Sequence, residues 1–189
     1  MILLARHGET ADNVPPERVM GSRDVPLSER GRRQAHALAR AVAGEGLAAI
    51  WTSHLARARE TADIVAAALG LGARVDRRLA ESSRGRWEGR RLVDIERDEP
   101  AAWAAWMRAG EDFRFPGGES LGEHQRRALA ASAEVRDGPL PALVVCHGGT
   151  IRAIAAASHP RGLAGYHELS VPNAGLLKLD DVGRWTNAA

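Results

Sequence analysis

Ile2-Leu3-Leu4-Ala5-Arg6-His7-Gly8 opens the chain, and Ala142-Leu143-Val144-Val145-Cys146-His147-Gly148-Gly149 repeats its plan near the far end. Each stretch is a short apolar run of strand length that stops at His-Gly. Between them the pattern alternates strand and helix. Ser28 to Ala43 reads as a helix that Ser28 can cap, with Ala35, Leu38, Ala39 and Val42 on one face. Leu47 to Thr52 reads as a second strand, Ala56 to Leu69 as a helix stopped by Gly70, and Arg74 to Asp76 as a short third strand. Ser120 to Arg136 reads as a helix with a Ser120/Glu123 capping box. Thr150 to Ala157 reads as helical, and His167 to Val171 and Gly175 to Leu179 as two final strands.

Alternation of this kind predicts an α/β fold with a mostly parallel sheet. In such sheets ligands sit at the carboxyl ends of the strands. If the two His-Gly strands run parallel, both histidines arrive at one rim, and the functional reading depends on that convergence.

The chain has 189 residues, 44% hydrophobic and 26% charged, which predicts one globular domain. No apolar run approaches the roughly 18 residues of a membrane span, and Met1 to Leu4 is too short for a signal peptide's apolar stretch. The single cysteine, Cys146, permits no internal disulfide, which fits a cytoplasmic location. Net charge is +2, nearly every cation is Arg, and the signs alternate without a one-sided basic block, so nothing points to nucleic acid.

Two histidines beside arginine suit a tetrahedral dianion, because guanidinium forks match phosphate oxygens. They suit a divalent metal poorly, since neighbouring guanidinium groups repel a cation. Gly8 and Gly148 allow a bound group to approach the backbone closely.

The motifs extend well beyond these two stretches. Arg6-His7-Gly8-Glu9-Thr10 with Asn13, Gly21 to Gly31 (Gly-Ser-Arg-Asp-Val-Pro-Leu-Ser-Glu-Arg-Gly) with Gln34-Ala35, and Thr52 to Ala58 with Thr61-Ala62 stand in order. They are followed by Leu79, Glu81, Gly85 and Trp87-Glu88-Gly89, then Pro116 to Ser120, then Val145 to Arg152. In this order the motifs resemble the histidine phosphatase superfamily, its phosphoglycerate-mutase-like branch, and most nearly its alpha-ribazole phosphatase-like phosphatases. The resemblance implies a three-layer sandwich with helices on both faces of the sheet, and a single domain over 1–189 with a lid-like segment at about 82–119. It implies that His7 is the nucleophile, that Arg6, Arg57 and His147 hold the phosphoryl oxygens with Asn13 assisting, and that Glu81 is the acid that protonates the leaving oxygen and then activates water. Gly21, Arg23 and Gly148 are expected at the substrate. The expected chemistry is hydrolysis of a small phosphomonoester through a phosphohistidine, with no metal and no cofactor. The expected partners are that substrate and, at most, a second copy in a homodimer, with neither nucleic acid nor membrane.

Three alternatives accompany this reading. A phosphoglycerate mutase uses the same pocket, but the compact stretch from Glu81 to His147 favours a hydrolase. Cys146 and Arg152 match the Cys-x5-Arg spacing of cysteine-based phosphatases. A catalytically silent phospholigand module would not need all five polar residues of the pocket. Blander roles are open for other positions. Arg84, Arg86, Arg90 and Arg91 either meet a second anionic group or face water, and Ser83-Arg84 departs from the acidic or amide residue and aromatic that the family's phosphatases often place before Gly85. His54 is expected in solvent, and His36, His124, His159 and His167 are expected to be structural or exposed. The aromatics of 87–115 serve equally as a lid or as a local core.

Overall fold

In the computed structural model the described residues are 1–179 and 185–188. The elements are β1 (Ile2–Arg6), α1 (Glu29–Val42), β2 (Ala49–Thr52), α2 (Ala56–Leu69), β3 (Ala73–Val75), α3 (Leu92–Asp98), α4 (Pro100–Arg108), α5 (Leu121–Asp137), β4 (Ala142–Cys146), α6 (Gly148–Ala156), β5 (Leu176–Leu179) and β6 (Trp185–Ala188). The sheet order is β3-β2-β4-β1-β5-β6. The first four strands of the chain run parallel, β5 is antiparallel to β1, and β6 is antiparallel to β5.

Alternation along the strands sends side chains to two cores. Leu3, Ala5, Ile50, Leu143 and Val145 pack with Leu38, Ala39 and Val42 of α1 and with Ala58, Ala62 and Val65 of α2. Leu4, Trp51, Val144 and Cys146 pack on the opposite side with Ala128, Ala131 and Val135 of α5 and with Ile151 and Ile154 of α6. This is the three-layer α/β sandwich. The fully buried Leu143 lies on the central strand β4, where truncation to Ala costs about 2–5 kcal/mol.

Ser28 and Ser120 cap α1 and α5 through their hydroxyl oxygens, the second within a capping box with Glu123. A third cluster forms under the long segment before α5. Trp87, Ile95, Phe115 and Leu121 are buried there against Ala153, Ala156 and Tyr166.

Three local expectations change. His167 to Val171 is a turn followed by irregular chain rather than a strand. Its carbonyls are bonded by side chains instead of a neighbouring strand: Leu169 O accepts from Arg152 Nε at 2.9 Å and Val171 O from Arg6 Nη1 at 2.7 Å. The segment between residues 82 and 119, where the sequence predicts a single short helix over Pro100 to Met107, holds α3 as well as α4, and α6 starts at Gly148 rather than Thr150.

Register now positions the site. Arg6 pairs with Cys146 across β1 and β4, so the next residues, His7 and His147, leave adjacent strands side by side. His7 N donates to Cys146 O at 3.0 Å, which extends the ladder by one step. Thr52 pairs with Val145 and Val75, so β2 delivers the start of α2 to the same rim, and β3 delivers the turn that leads to Glu81.

Candidate active site

A cavity of about 340 Å³ opens at this rim. Arg6, His7, Asn13, Gly21, Arg57, Glu81 and Gly148 line it, together with Gly149. The His7 and His147 ring centroids are 5.3 Å apart, with their planes tilted at 59°. Both rings are buried.

His7 is held in one orientation. Its Nδ1 lies 2.7 Å from Gly8 O, and a carbonyl only accepts, so Nδ1 carries the proton. The lone pair is therefore on Nε2. Burial, and then the charges of Arg57 and Arg6, hold the ring pKa well below its ordinary value, so the imidazole is neutral at physiological pH. Gly8 is required at the next position, because a Cβ there would lie 2.3 Å from Gly31 O. Gly8 N donates to Thr61 Oγ1, and the Thr61 hydroxyl donates to Arg57 O, which ties the His7 turn to α2.

Arg57 is fully buried in the first turn of α2, where burial lowers its pKa to about 10. Nη1 donates to Arg23 O at 2.7 Å and Nη2 to Gly21 O at 2.8 Å. Its Nε is buried without a hydrogen-bond partner, as is Arg6 Nε. Both ring nitrogens of His147 share that condition. Unpaired buried donors are costly; a neutral His147 donates from only one ring nitrogen, so three such donors gather on the residues around His7. A tetrahedral oxyanion group would satisfy them.

Asn13 Oδ1 accepts from Thr10 N and from Asn173 Nδ2, both at 3.1 Å, which leaves the Asn13 amide NH2 as the end available to a ligand. The loop carrying Gly21 is fixed by Glu88. Its Oε1 accepts from Ser22 N at 2.9 Å and Arg84 N at 2.8 Å. Gly21 has φ +53°, and a Cβ there would meet Glu88 Oε1 at 2.3 Å. Arg23 is placed differently from expectation. Its guanidinium pairs with Asp12 at 2.8 Å and does not line the cavity, so what it gives the site is the backbone carbonyl that holds Arg57.

Glu81 is nearly buried. Its Oε1 accepts from Ser82 N and its Oε2 from Gly149 N, each at 2.9 Å. Burial alone would raise its pKa, but Arg84, His124 and these two amides outweigh it and hold the carboxyl at about 2. Glu81 is therefore a carboxylate, able to accept a proton.

Further cavity residues are ones whose role the sequence left open or did not address. Trp103, Trp106 and Met107 from α4 form one wall, and Arg84, Arg152 and His167 also line the cavity. His167 Nε2 bonds to Trp106 O at 2.9 Å. The aromatics thus divide: Trp87 and Phe115 are core, while the half-buried Trp103 and Trp106 face the cavity. His124 is buried, with Nε2 3.1 Å from Thr150 Oγ1. His54 lies apart, in a surface groove beside α2. Cys146 points into the core beneath α5 and α6, and burial raises its thiol pKa. A thiol held un-ionised in that core is not the thiolate that the cysteine-phosphatase alternative requires.

Comparison with known proteins gives the same family as the motifs. A model described as the histidine phosphatase superfamily (branch 1) matches residues 2–185. A Serratia proteamaculans protein named probable phosphoglycerate mutase GpmB is 36% identical over 185 residues, covering 95% of this chain and 84% of its own. The mycobacterial glucosyl-3-phosphoglycerate phosphatase, solved with VO3, superposes with a TM-score of 0.85 at 33% identity, covering 100% of this chain and 97% of its own. An alpha-ribazole-5'-P phosphatase-like protein from Escherichia coli str. K-12 shares the fold, with a TM-score of 0.80 at 23% identity over 99% of this chain and 93% of its own. The chain belongs to the histidine phosphatase superfamily, branch 1.

Proposed function

We propose that the protein hydrolyses small phosphomonoesters through a phosphohistidine on His7, without a metal. The observation that carries this is the neutral His7 ring, its Nδ1 proton fixed on Gly8 O, beside the unpaired donors of Arg6, Arg57 and His147.

In the first displacement the Nε2 lone pair of His7 attacks phosphorus and the bond to the leaving oxygen breaks. Nδ1 keeps its proton, donated to Gly8 O, so the phosphorylated ring carries a positive charge and remains a good leaving group. Arg6, Arg57, His147 and the Asn13 amide hold the equatorial oxygens, where the charge of the transferring group resides. Each well-placed donor contributes roughly 3–4 kcal/mol, on the scale of an oxyanion-hole donor. Glu81 gives the leaving oxygen its proton, which it takes up from the substrate monoanion as the added negative charge raises its pKa. Glu81, again a carboxylate, then takes a proton from the water that attacks the phosphohistidine. Phosphate leaves with the proton that Glu81 took from the water, which restores neutral His7 and the Glu81 carboxylate. A pocket in which five guanidinium groups outnumber three carboxylates supports metal independence.

The second reading, phosphotransfer of the mutase type, is favoured by the curated relatives' name. Purified protein given 3-phosphoglycerate with its bisphosphate primer separates the two. Phosphate release without isomerisation is expected, and fast isomerisation without release would reject the hydrolase. Phosphate release that persists after dialysis against EDTA is also expected. The absence of any helix long and apolar enough to cross a membrane, among the described residues, together with the lone buried Cys146, supports a cytoplasmic setting.

A further inference from the structure

Five guanidinium groups line the cavity (Arg6, Arg18, Arg57, Arg84 and Arg152) against three carboxylates (Asp12, Glu17 and Glu81). One phosphoryl group accounts for Arg6 and Arg57. Asp12 is engaged by Arg23, Glu81 is held by two backbone amides, and Glu17 is exposed. Elsewhere on the molecule Arg side chains are widely ion-paired, as Arg78 with Asp76, Arg91 with Asp94 and Arg127 with Glu119. Among the described residues neither Arg84 nor Arg152 has a carboxylate oxygen within 4.0 Å of its guanidinium, although the charge of Arg84 is felt by Glu81.

Arg84 is fixed on aromatic rings rather than on an acid. Its guanidinium carbon lies 4.9 Å from the Phe115 ring centroid and 5.3 Å from that of Trp106, and its Nε is buried without a hydrogen bond. These ring contacts, with the Tyr166 hydroxyl beside them, hold the guanidinium on the cavity wall, where it can meet a ligand. The turn that presents it is rigid: Arg84 N donates to Glu88 Oε1, and Gly85 has φ +53° with no room for a Cβ against Pro116 O. Arg152 is anchored by Nε to Leu169 O, with its guanidinium carbon 5.8 Å from the Tyr166 ring centroid, which leaves the Nη groups to the cavity.

We propose that Arg84 and Arg152 form a second anion-binding subsite, so that the preferred substrates are phosphomonoesters whose alcohol part carries another anionic group, a carboxylate or a second phosphate. The inference rests on the phosphomonoesterase reading above and specifies the substrate end that the phosphoryl pocket leaves open.

The test compares matched pairs. In the carboxylate arm, kcat/KM for phosphate release is measured on 3-phosphoglycerate and on glycerol 3-phosphate. In the phosphate arm it is measured on fructose 1,6-bisphosphate and fructose 6-phosphate. The wild-type ratio of the more to the less anionic member is expected to be about tenfold or more in at least one arm, the scale of a charge-assisted hydrogen bond. Arg84→Leu, which keeps a side chain on the Trp106 and Phe115 rings, is expected to bring that ratio close to one. Arg84→Gln provides the same reading if the Leu variant does not fold. A wild-type ratio near one in both arms overturns the subsite, as does a ratio unchanged by either variant. Phosphate release from p-nitrophenyl phosphate is followed alongside. If the wild type releases phosphate from none of these esters, the phosphomonoesterase reading itself has failed.

Discussion

His124 Nε2 lies 3.9 Å from Glu81 Oε1, and a hydrogen-bonded chain joins the same two residues by a second route. The Thr150 hydroxyl donates to Ala80 O at 3.0 Å, so it accepts from His124 Nε2–H. The backbone just before Glu81 is therefore tied to α5 and α6 together. Thr150→Val keeps the shape but removes both bonds. We expect a stability loss of about 1–3 kcal/mol from the unpaired groups, and a lower kcat with KM little changed. Denaturant titration and steady-state kinetics check this, and unaltered values for both would show that the chain does not position Glu81.

Gly149 sits at the point where Glu81 and Tyr166 meet α6. A Cβ there would lie 2.2 Å from Glu81 Oε1 and 2.7 Å from the Tyr166 hydroxyl. Gly149→Ala is expected to displace the carboxylate and lower kcat by about tenfold or more, on the scale of a misplaced catalytic group. Thermal unfolding measured beside kinetics separates displacement of Glu81 from loss of the fold.

Arg57 is tested by Arg57→Lys. An ammonium cannot span the Arg23 and Gly21 carbonyls while also directing a donor at the ligand. The expected loss in kcat/KM is roughly 10²–10³-fold, the cost of a missing oxyanion donor. A loss under threefold would mean that Arg57 only braces the Gly21 loop.

Stability is expected to depend on pH through the buried imidazoles. His7, His147 and His124 all have folded pKa values below the ordinary 6.5, the last at about 4, with burial the leading cause in each. Between pH 6.5 and about 4 the unfolded chain binds protons that the folded chain refuses, so stability falls as pH falls through that window. The unfolding midpoint should drop from pH 7 to pH 4.5. His124→Phe should flatten the dependence, and a wild-type midpoint constant over the same range contradicts the neutral, buried assignment.

Much of the site was legible because strand ends in a parallel sheet share a rim. The His-Gly stops after β1 and β4 were enough to bring His7 and His147 together, and the register Arg6↔Cys146 is how they meet. Arg57 and Glu81 were legible through motif resemblance, since an Arg in a helix and a Glu in a turn carry no local mark of burial. The sequence leaves Arg84, Trp103 and Trp106 each between two roles, and Arg152 enters only through the last motif and the Cys146 alternative, because their placement depends on how the segment before α5 packs against α6. The His167 to Val171 alternation looked like a strand, yet its carbonyls bond to Arg6 and Arg152, which no local pattern foretells. The short α3 lacks a side-chain cap, so its sequence gives a weak start signal.

The covalent step is the most direct test. Rapid mixing with a 32P-labelled phosphomonoester, alkaline quench and peptide mapping should place the label on His7, as an acid-labile, alkali-stable phosphoramidate. Label should be absent from His7→Ala and retained in Cys146→Ser. Label on Cys146, or full turnover by His7→Ala, would contradict the account.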